Sequence, residues 1–275
     1  MMPRPASVVK ICGLTRPKDV HACVEAGVGA VGFVLASGPR RLSVEQVKRL
    51  VEELKRSRRR AGGERERVQG GIDASSPRAV GVFASASLEE MVSVTRATGL
   101  EVLQLHGEEQ PDDVERLSRL LPDVRLVKAL GVPSRGQGAE DVASLRAGYG
   151  GAGSLQRRVD AYQKLVHVLL LDTQTDKGMG GSGVQFPWAR VRLLATDLPV
   201  MVAGGIGPAE VQEALRLSGA SGVDVSSGVE DAPGIKNAEL IRELVRRVER
   251  FQAERVTGNA ETADTAEKGE EIPWW

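Results

Sequence analysis

Two residues of opposite chemistry stand where apolar runs break off. In VVKICGLTRP (residues 8–17) a thiol, Cys12, closes the run just before Gly13 and Thr15. In HVLLLD (167–172) a carboxylate, Asp172, ends the most apolar run of the chain. A cysteine can close a buried strand simply as a small hydrophobe, and an aspartate can cap the turn that follows. A carboxylate in so apolar a setting is costly, however, unless it is hydrogen-bonded, open to a cavity or used. A thiol and a carboxylate facing one ligand can divide acid and base work, and the residues alone leave open which is which. The thiol must then be at least partly thiolate, a state that a nearby anion-binding turn or Arg40 favours.

Two glycine-rich turns carry the other clear signal. VAGGIGPAEV (202–211) contains Gly204 and Gly205, and DVSSGVEDAPG (224–234) contains Asp224, Ser226, Ser227 and Gly228. Such turns either permit a tight chain reversal or present backbone N–H groups to an anion such as phosphate, the second use aided by a following helix N-terminus. Arg40 and Arg41, Gln104 with His106, and Lys128 complete the polar residues at the ends of apolar runs. The three histidines, His21, His106 and His167, lie far apart and lack metal-site spacing. With no flavin or nicotinamide motif either, the expectation is proton transfer on a phosphorylated small molecule, with no metal and no cofactor.

These residues need elements to hold them. Eight apolar runs of strand length recur, at 8–12, 30–35, 79–83, 101–105, 125–130, 167–172, 200–205 and 222–228, and stretches of helical periodicity alternate with them. Ser43 with Gln46 forms a capping-box pattern, Gly27 closes the first helix, and Pro208 suits a helix start. Runs that are apolar throughout suit a parallel sheet covered on both faces. Eight strand–helix units predict a single (β/α)8 TIM barrel, an α/β fold that typically takes about 250 residues. An open doubly wound sheet is the rival, but CGLTRP does not match the dinucleotide fingerprint. In a barrel the strand C-termini form the active face, and the loops after strands seven and eight are the usual phosphate site.

Composition narrows the class. With 37 basic and 37 acidic residues the formal charge is zero, which argues against a nucleic-acid surface but not against a local anion pocket. No apolar run approaches the roughly 18 residues of a membrane span, and MMPRPASVVK has no signal-peptide core. Cys12 and Cys23 read as reduced thiols, in keeping with a cytoplasmic protein. The barrel is expected over residues 1–252, with charged, glycine-rich surface insertions near 56–78 and 133–155. A polar tail, 253–275, ends in Trp274 and Trp275.

Taken together, VKICGLT, VGFVLASGPRRLS, VGVF, LQLHGEE, LLLDT with GGSG, MVAGGIGPAEV and GVDVSSGVEDAPGIKN resemble, in order, the phosphoribosylanthranilate isomerase family of tryptophan biosynthesis. The resemblance runs from residue 8 to about 237. It implies a cofactor-free Amadori rearrangement of N-(5-phosphoribosyl)anthranilate to 1-(2-carboxyphenylamino)-1-deoxyribulose 5-phosphate. It assigns Cys12 as general base and Asp172 as general acid, sets Arg40 near the anthranilate carboxylate with Arg41 as the competing register, and puts Gly204, Gly205, Ser227 and Gly228 at the phosphate. Asp224 and Ser226 join them as substrate-binding candidates, and His106 stands at the rim as either a substrate contact or a structural residue. Where the family commonly reads FDW this chain reads FPW, so Pro187 is expected to alter a helix start and not the chemistry.

Two other readings compete. A related barrel isomerase of the histidine pathway usually uses two aspartates, and here the first-strand position is Cys12. A barrel kept mainly as an interaction module, bound to other tryptophan-pathway enzymes through its insertions and tail, is the reading from a different class.

Overall fold

Short runs of valine, isoleucine and leucine form strands here because each is buried on both faces, one against the barrel interior and one against helices. The computed structural model describes residues 9–62, 77–134, 155–175, 178–179 and 185–260. The strands are β1 (Val9–Cys12), β2 (Ala30–Val34), β3 (Arg78–Phe83), β4 (Val102–Leu105), β5 (Arg125–Pro133), β6 (Val168–Thr175), β7 (Val200–Val202) and β8 (Gly222–Val225). They run in the order β5-β4-β3-β2-β1-β8-β7-β6, and β5 pairs with β6 to close the ring. Every pairing within the ring is parallel. This is the closed (β/α)8 barrel that the repeat pattern predicts.

The helices are α1 (Pro17–Ala26), α2 (Val44–Gly62), α3 (Leu88–Thr98), α4 (Pro111–Leu120), α5 (Leu155–Tyr162), α6 (Val211–Ser218) and α7 (Ala238–Ala260). Between β6 and β7 the chain makes a 3₁₀ helix, Trp188–Leu193, and Pro187 is its N-cap residue, one position earlier than an N1 proline. Before α6, Pro208 lies in a turn; Gly207 O accepts from both Glu210 N and Val211 N, so the helix proper begins three residues after the proline. Ser43 and Gln46 cap α2 reciprocally, at 2.7 and 3.3 Å. No helix among the described residues is long and apolar enough to cross a membrane.

Alternation along the strands separates two cores. Val9, Ile11, Val31, Phe33, Leu103 and Leu105 belong to the outer core under the helices. Ala30, Val80, Val102, Val127, Ala129, Val168, Leu170 and Met201 fill the barrel interior. Continuing three of the inward rows toward the strand C-termini turns them polar: Val102 leads to Gln104, Leu170 to Asp172, and Gly222 to Asp224. The interior is therefore an apolar floor beneath a polar mouth.

Some insertion boundaries move. Residues 56–62 continue α2, because Ser57 Oγ donates to Glu53 O and Arg58 pairs with Glu101 at 2.7 Å and with the Pro77 carbonyl. The remainder of both insertions (63–76 and 135–154), the GGSG segment and residues 261–275 with Trp274 and Trp275 lie outside the described residues. At α3, Ser87 Oγ accepts from Glu90 N at 3.1 Å. Ser87→Ala is expected to cost about 1 kcal/mol of stability, read as a lower urea midpoint with an unchanged m-value.

Candidate active site

The thiol that ends β1 points inward. Lys10 and Cys12 share the inner face of the strand, and Cys12 sits opposite Gly32 of β2. A Cβ on Gly32 would lie 2.8 Å from Cys12 Sγ and 3.2 Å from Lys10 Nζ, so only glycine leaves room for both groups. Lys10 Nζ donates to Asp224 Oδ2 of β8 at 2.7 Å, and the lysine is 1% exposed. Burial opposes the ammonium charge, but Asp224 and Cys12 outweigh it and the Lys10 pKa lies above its ordinary value. Burial also pushes the Cys12 thiol up; Lys10 and Lys236 pull it back toward thiolate without cancelling the burial. Cys12 and Cys23 are both free and buried.

Asp172 enters the mouth from β6, with β7 and β8 between it and β1. Its Oδ1 accepts from Thr173 N at 2.7 Å, and its Oδ2 faces His106 Nε2 at 3.4 Å. Gln104 Nε2 meets His106 Nδ1 at 2.9 Å. With that amide donating, the neutral imidazole carries its proton on Nε2, toward Asp172. His106 is thus held between a residue of its own strand and the carboxylate.

Of the two loop arginines, Arg40 is the half-buried one. It lies over Gly13, whose φ is +79° and where a Cβ would strike the arginine Cδ, while Arg41 is exposed. The guanidinium fork is engaged side-on by Glu230: Nε donates to Oε1 at 2.8 Å and Nη2 to Oε2 at 2.6 Å. Glu230 also accepts from Lys236 Nζ at 2.7 Å and Gly234 N at 3.1 Å. Burial works against the Glu230 charge, but Arg40 and Lys236 hold its carboxyl below the usual range.

The loops after β7 and β8 meet. Gly204 and Gly205 have φ values of +90° and +62°. A side chain on Gly228 would run into the Ile206 carbonyl, so the two turns touch backbone to backbone. Ser226 Oγ donates to Cys12 O at 3.1 Å, and Ser227–Val229 forms a single 3₁₀ turn. Asp224 Oδ1 is buried with no hydrogen-bond partner among the described residues.

Lys128 is the correction to the list read from strand ends. Its neighbours Val127 and Ala129 face the barrel interior, so Lys128 faces outward. Its Nζ donates to Glu109 Oε2 at 2.6 Å, Gly107 O at 2.6 Å and Leu105 O at 3.4 Å, and it lies 5.5 Å from the Tyr162 ring centroid. It braces the loop that carries His106 and does not enter the mouth. Lys10, Glu230 and Lys236 were not among the residues picked from the sequence. Lys10 had a signal: a charge two positions before Cys12 must share its face. Glu230 and Lys236 lie within the GVDVSSGVEDAPGIKN motif, but nothing local showed their contacts with Arg40 and Asp19, which lie far away in the sequence.

Comparison with known proteins gives one answer. The family model described as N-(5'phosphoribosyl)anthranilate (PRA) isomerase matches residues 9–247. The N-(5'-phosphoribosyl)anthranilate isomerase of Myxococcus xanthus is 38% identical over 240 residues, covering 86% of this chain and 94% of the relative. That of Rhodopseudomonas palustris strain HaA2 is 35% identical over 243 residues, covering 87% and 94%. Among solved structures, phosphoribosyl anthranilate isomerase from Thermus thermophilus is 31% identical with a TM-score of 0.63, covering 88% of this chain and 98% of that one. The enzyme from Thermotoga maritima is 27% identical with a TM-score of 0.66, covering 89% and 99%. A closed barrel, a motif set in family order and near-full-length matches coincide, and the chain belongs to the phosphoribosylanthranilate isomerase family of enzymes.

Proposed function

We propose that this protein converts N-(5-phosphoribosyl)anthranilate to 1-(2-carboxyphenylamino)-1-deoxyribulose 5-phosphate in the cytoplasm, with no cofactor, Asp172 as acid and Cys12 as base. The observation that carries this reading is the convergence of the two residues: each is a polar residue on the inward face of its strand, and both stand over one apolar floor. Asp172 gives its proton to the ribose ring oxygen. The C1–O bond breaks, and the anilino nitrogen lone pair forms the C=N bond of a Schiff base. The Cys12 thiolate then takes the proton from C2, and those electrons form the C1=C2 bond of an enolamine while the C=N bond returns to an amine. Proton transfer from the enol hydroxyl to C1 leaves the ketone at C2. Asp172 must arrive protonated for this step.

The other residues fit the rest of the molecule. Gly204, Gly205, Ser227 and Gly228 receive the phosphate on backbone amides. Asp224, whose Oδ1 has no hydrogen-bond partner among the described residues, accepts from a sugar hydroxyl, and Ser226 ties the loop after β8 to the Cys12 carbonyl. Arg40 reads the anthranilate carboxylate with its guanidinium.

The test is direct. Purified protein added to freshly formed phosphoribosylanthranilate is expected to quench the anthranilate-type fluorescence rapidly, with the ketose product recovered. No loss of signal sinks the proposal and leaves the interaction-module reading. Turnover of the aminoimidazole aldose of the histidine pathway in its place would assign the chain to the related isomerase class.

A further inference from the structure

Outside the residues that meet substrate in this reading, the most heavily bonded side chain at the mouth is Glu230. It is 4% exposed, while the Arg40 side chain that it binds keeps 16% of its surface open. Glu230 is itself bolted down. It begins a small hairpin in which Glu230–Ala232 pairs antiparallel with Ile235–Lys236. Lys236 Nζ donates to Glu230 Oε1 and to Ser226 O at 3.0 Å. The hairpin is then tied to the loop that follows Cys12. Thr15 Oγ1 donates to Gly234 O at 2.6 Å, and Arg16 Nη2 to Lys236 O at 3.0 Å. Lys236 N donates to Asp19 Oδ2 at 3.4 Å.

We propose that Glu230, anchored by Lys236, is a positioning residue that aims Arg40, so that the carboxylate of the aromatic ring is read by the edge of the guanidinium that Glu230 leaves free. The inference rests on the assignment of Arg40 given above. Both bonds to Glu230 use one edge of the fork, Nε and Nη2. The opposite edge, Nη1 with the second Nη2 hydrogen, keeps the planar two-donor geometry that a second carboxylate needs. An arginine on a surface loop loses several rotatable bonds when it binds. Held by Glu230, it has lost them already, and its distance from Cys12 is set by the hairpin and not by the loop. Lys236 offsets the charge of Glu230, which would otherwise compete with the incoming anion.

The experiment compares two ligands by calorimetry: the reduced, unreactive product analogue, and its counterpart lacking the ring carboxylate. Wild-type protein is expected to prefer the carboxylate by about 10–100-fold. Glu230→Gln is expected to lose about tenfold of that preference, with KM rising more than kcat falls. Glu230→Asp should recover part of it, and Lys236→Met should lose part of it. Retention of the full preference in Glu230→Gln overturns the proposal. If Glu230→Gln does not fold, full preference in both Glu230→Asp and Lys236→Met overturns it instead. A wild-type protein without preference, matched by Arg40→Met, shows that the Arg40 assignment itself has failed, and this inference with it.

Discussion

Cys12→Ala and Asp172→Asn are each expected to lower kcat by about 10²–10⁴-fold while the affinity for the reduced product analogue barely changes. Both substitutions preserve the hydrogen bonds that these positions make to Ser226 and Thr173. Cys12 contributes its thiol to the cavity and only its carbonyl to Ser226, so alanine keeps the backbone bond. Asparagine at 172 keeps an oxygen for Thr173 N and the shape of the carboxylate, but has no proton to give. Single-turnover fluorescence checks both variants, and calorimetry checks that they still bind. Turnover surviving in one variant would remove that residue from its role and leave the activity standing.

The thiol also fixes the sign of a pH dependence. Burial raises the Cys12 pKa, so the basic form is the minor one at neutral pH in the free protein. Any reaction that needs the thiolate alone, such as alkylation, must climb with pH through the neutral range and beyond it, whereas turnover also needs Asp172 protonated and gains less. The groups facing Cys12 are Lys10 on its own strand, Asp224 from β8, and Lys236 and Arg40 from the mouth loops. The rate of Cys12 alkylation by iodoacetamide should rise across this range in the free protein. An alkylation rate flat from about pH 6 to 9 would count against a thiol of raised pKa.

Lys10→Met is expected to cost about 3–5 kcal/mol of stability, because it leaves Asp224 as an uncompensated buried charge. It should also push the Cys12 thiol higher, since Lys10 is the largest of the influences that favour the thiolate. Lys10→Met together with Asp224→Asn should regain much of the stability, as removing both charges removes the penalty, without regaining activity. The folded-state pKa of Lys10 lies above its unfolded value, so its contribution is complete below the unfolded value and fades as pH rises through the folded one. The stability gap between wild type and Lys10→Met should therefore hold at neutral pH and narrow only above the ordinary lysine value of 10.5. Urea unfolding at several pH values tests this. A single variant as stable as wild type would mean that the Lys10–Asp224 pair is not the buried ion pair described here.

Much of this protein is written locally. Strand-length apolar runs alternating with amphipathic helices dictate a closed parallel barrel, since each unit buries its faces only against its neighbours. Period-two alternation then determines that Cys12 shares a face with Lys10, and that Asp172 follows Leu170 into the interior. The same rule, applied strictly, turns Lys128 outward. A charged residue near a strand end suggested the active face, but its neighbours Val127 and Ala129 already held the inward positions.

What tertiary structure alone decided is pairing. Lys10 meets Asp224 across 214 residues and Arg40 meets Glu230 across 190, because ring closure puts β1 beside β8. Local sequence has no record of that shear, and a hairpin such as 230–236 takes its place from contacts with Thr15, Arg16 and Asp19. The chain specifies which residues face the mouth through the geometry of each strand. Which of them touch is set by how the ends of the sheet join, a property of the whole barrel.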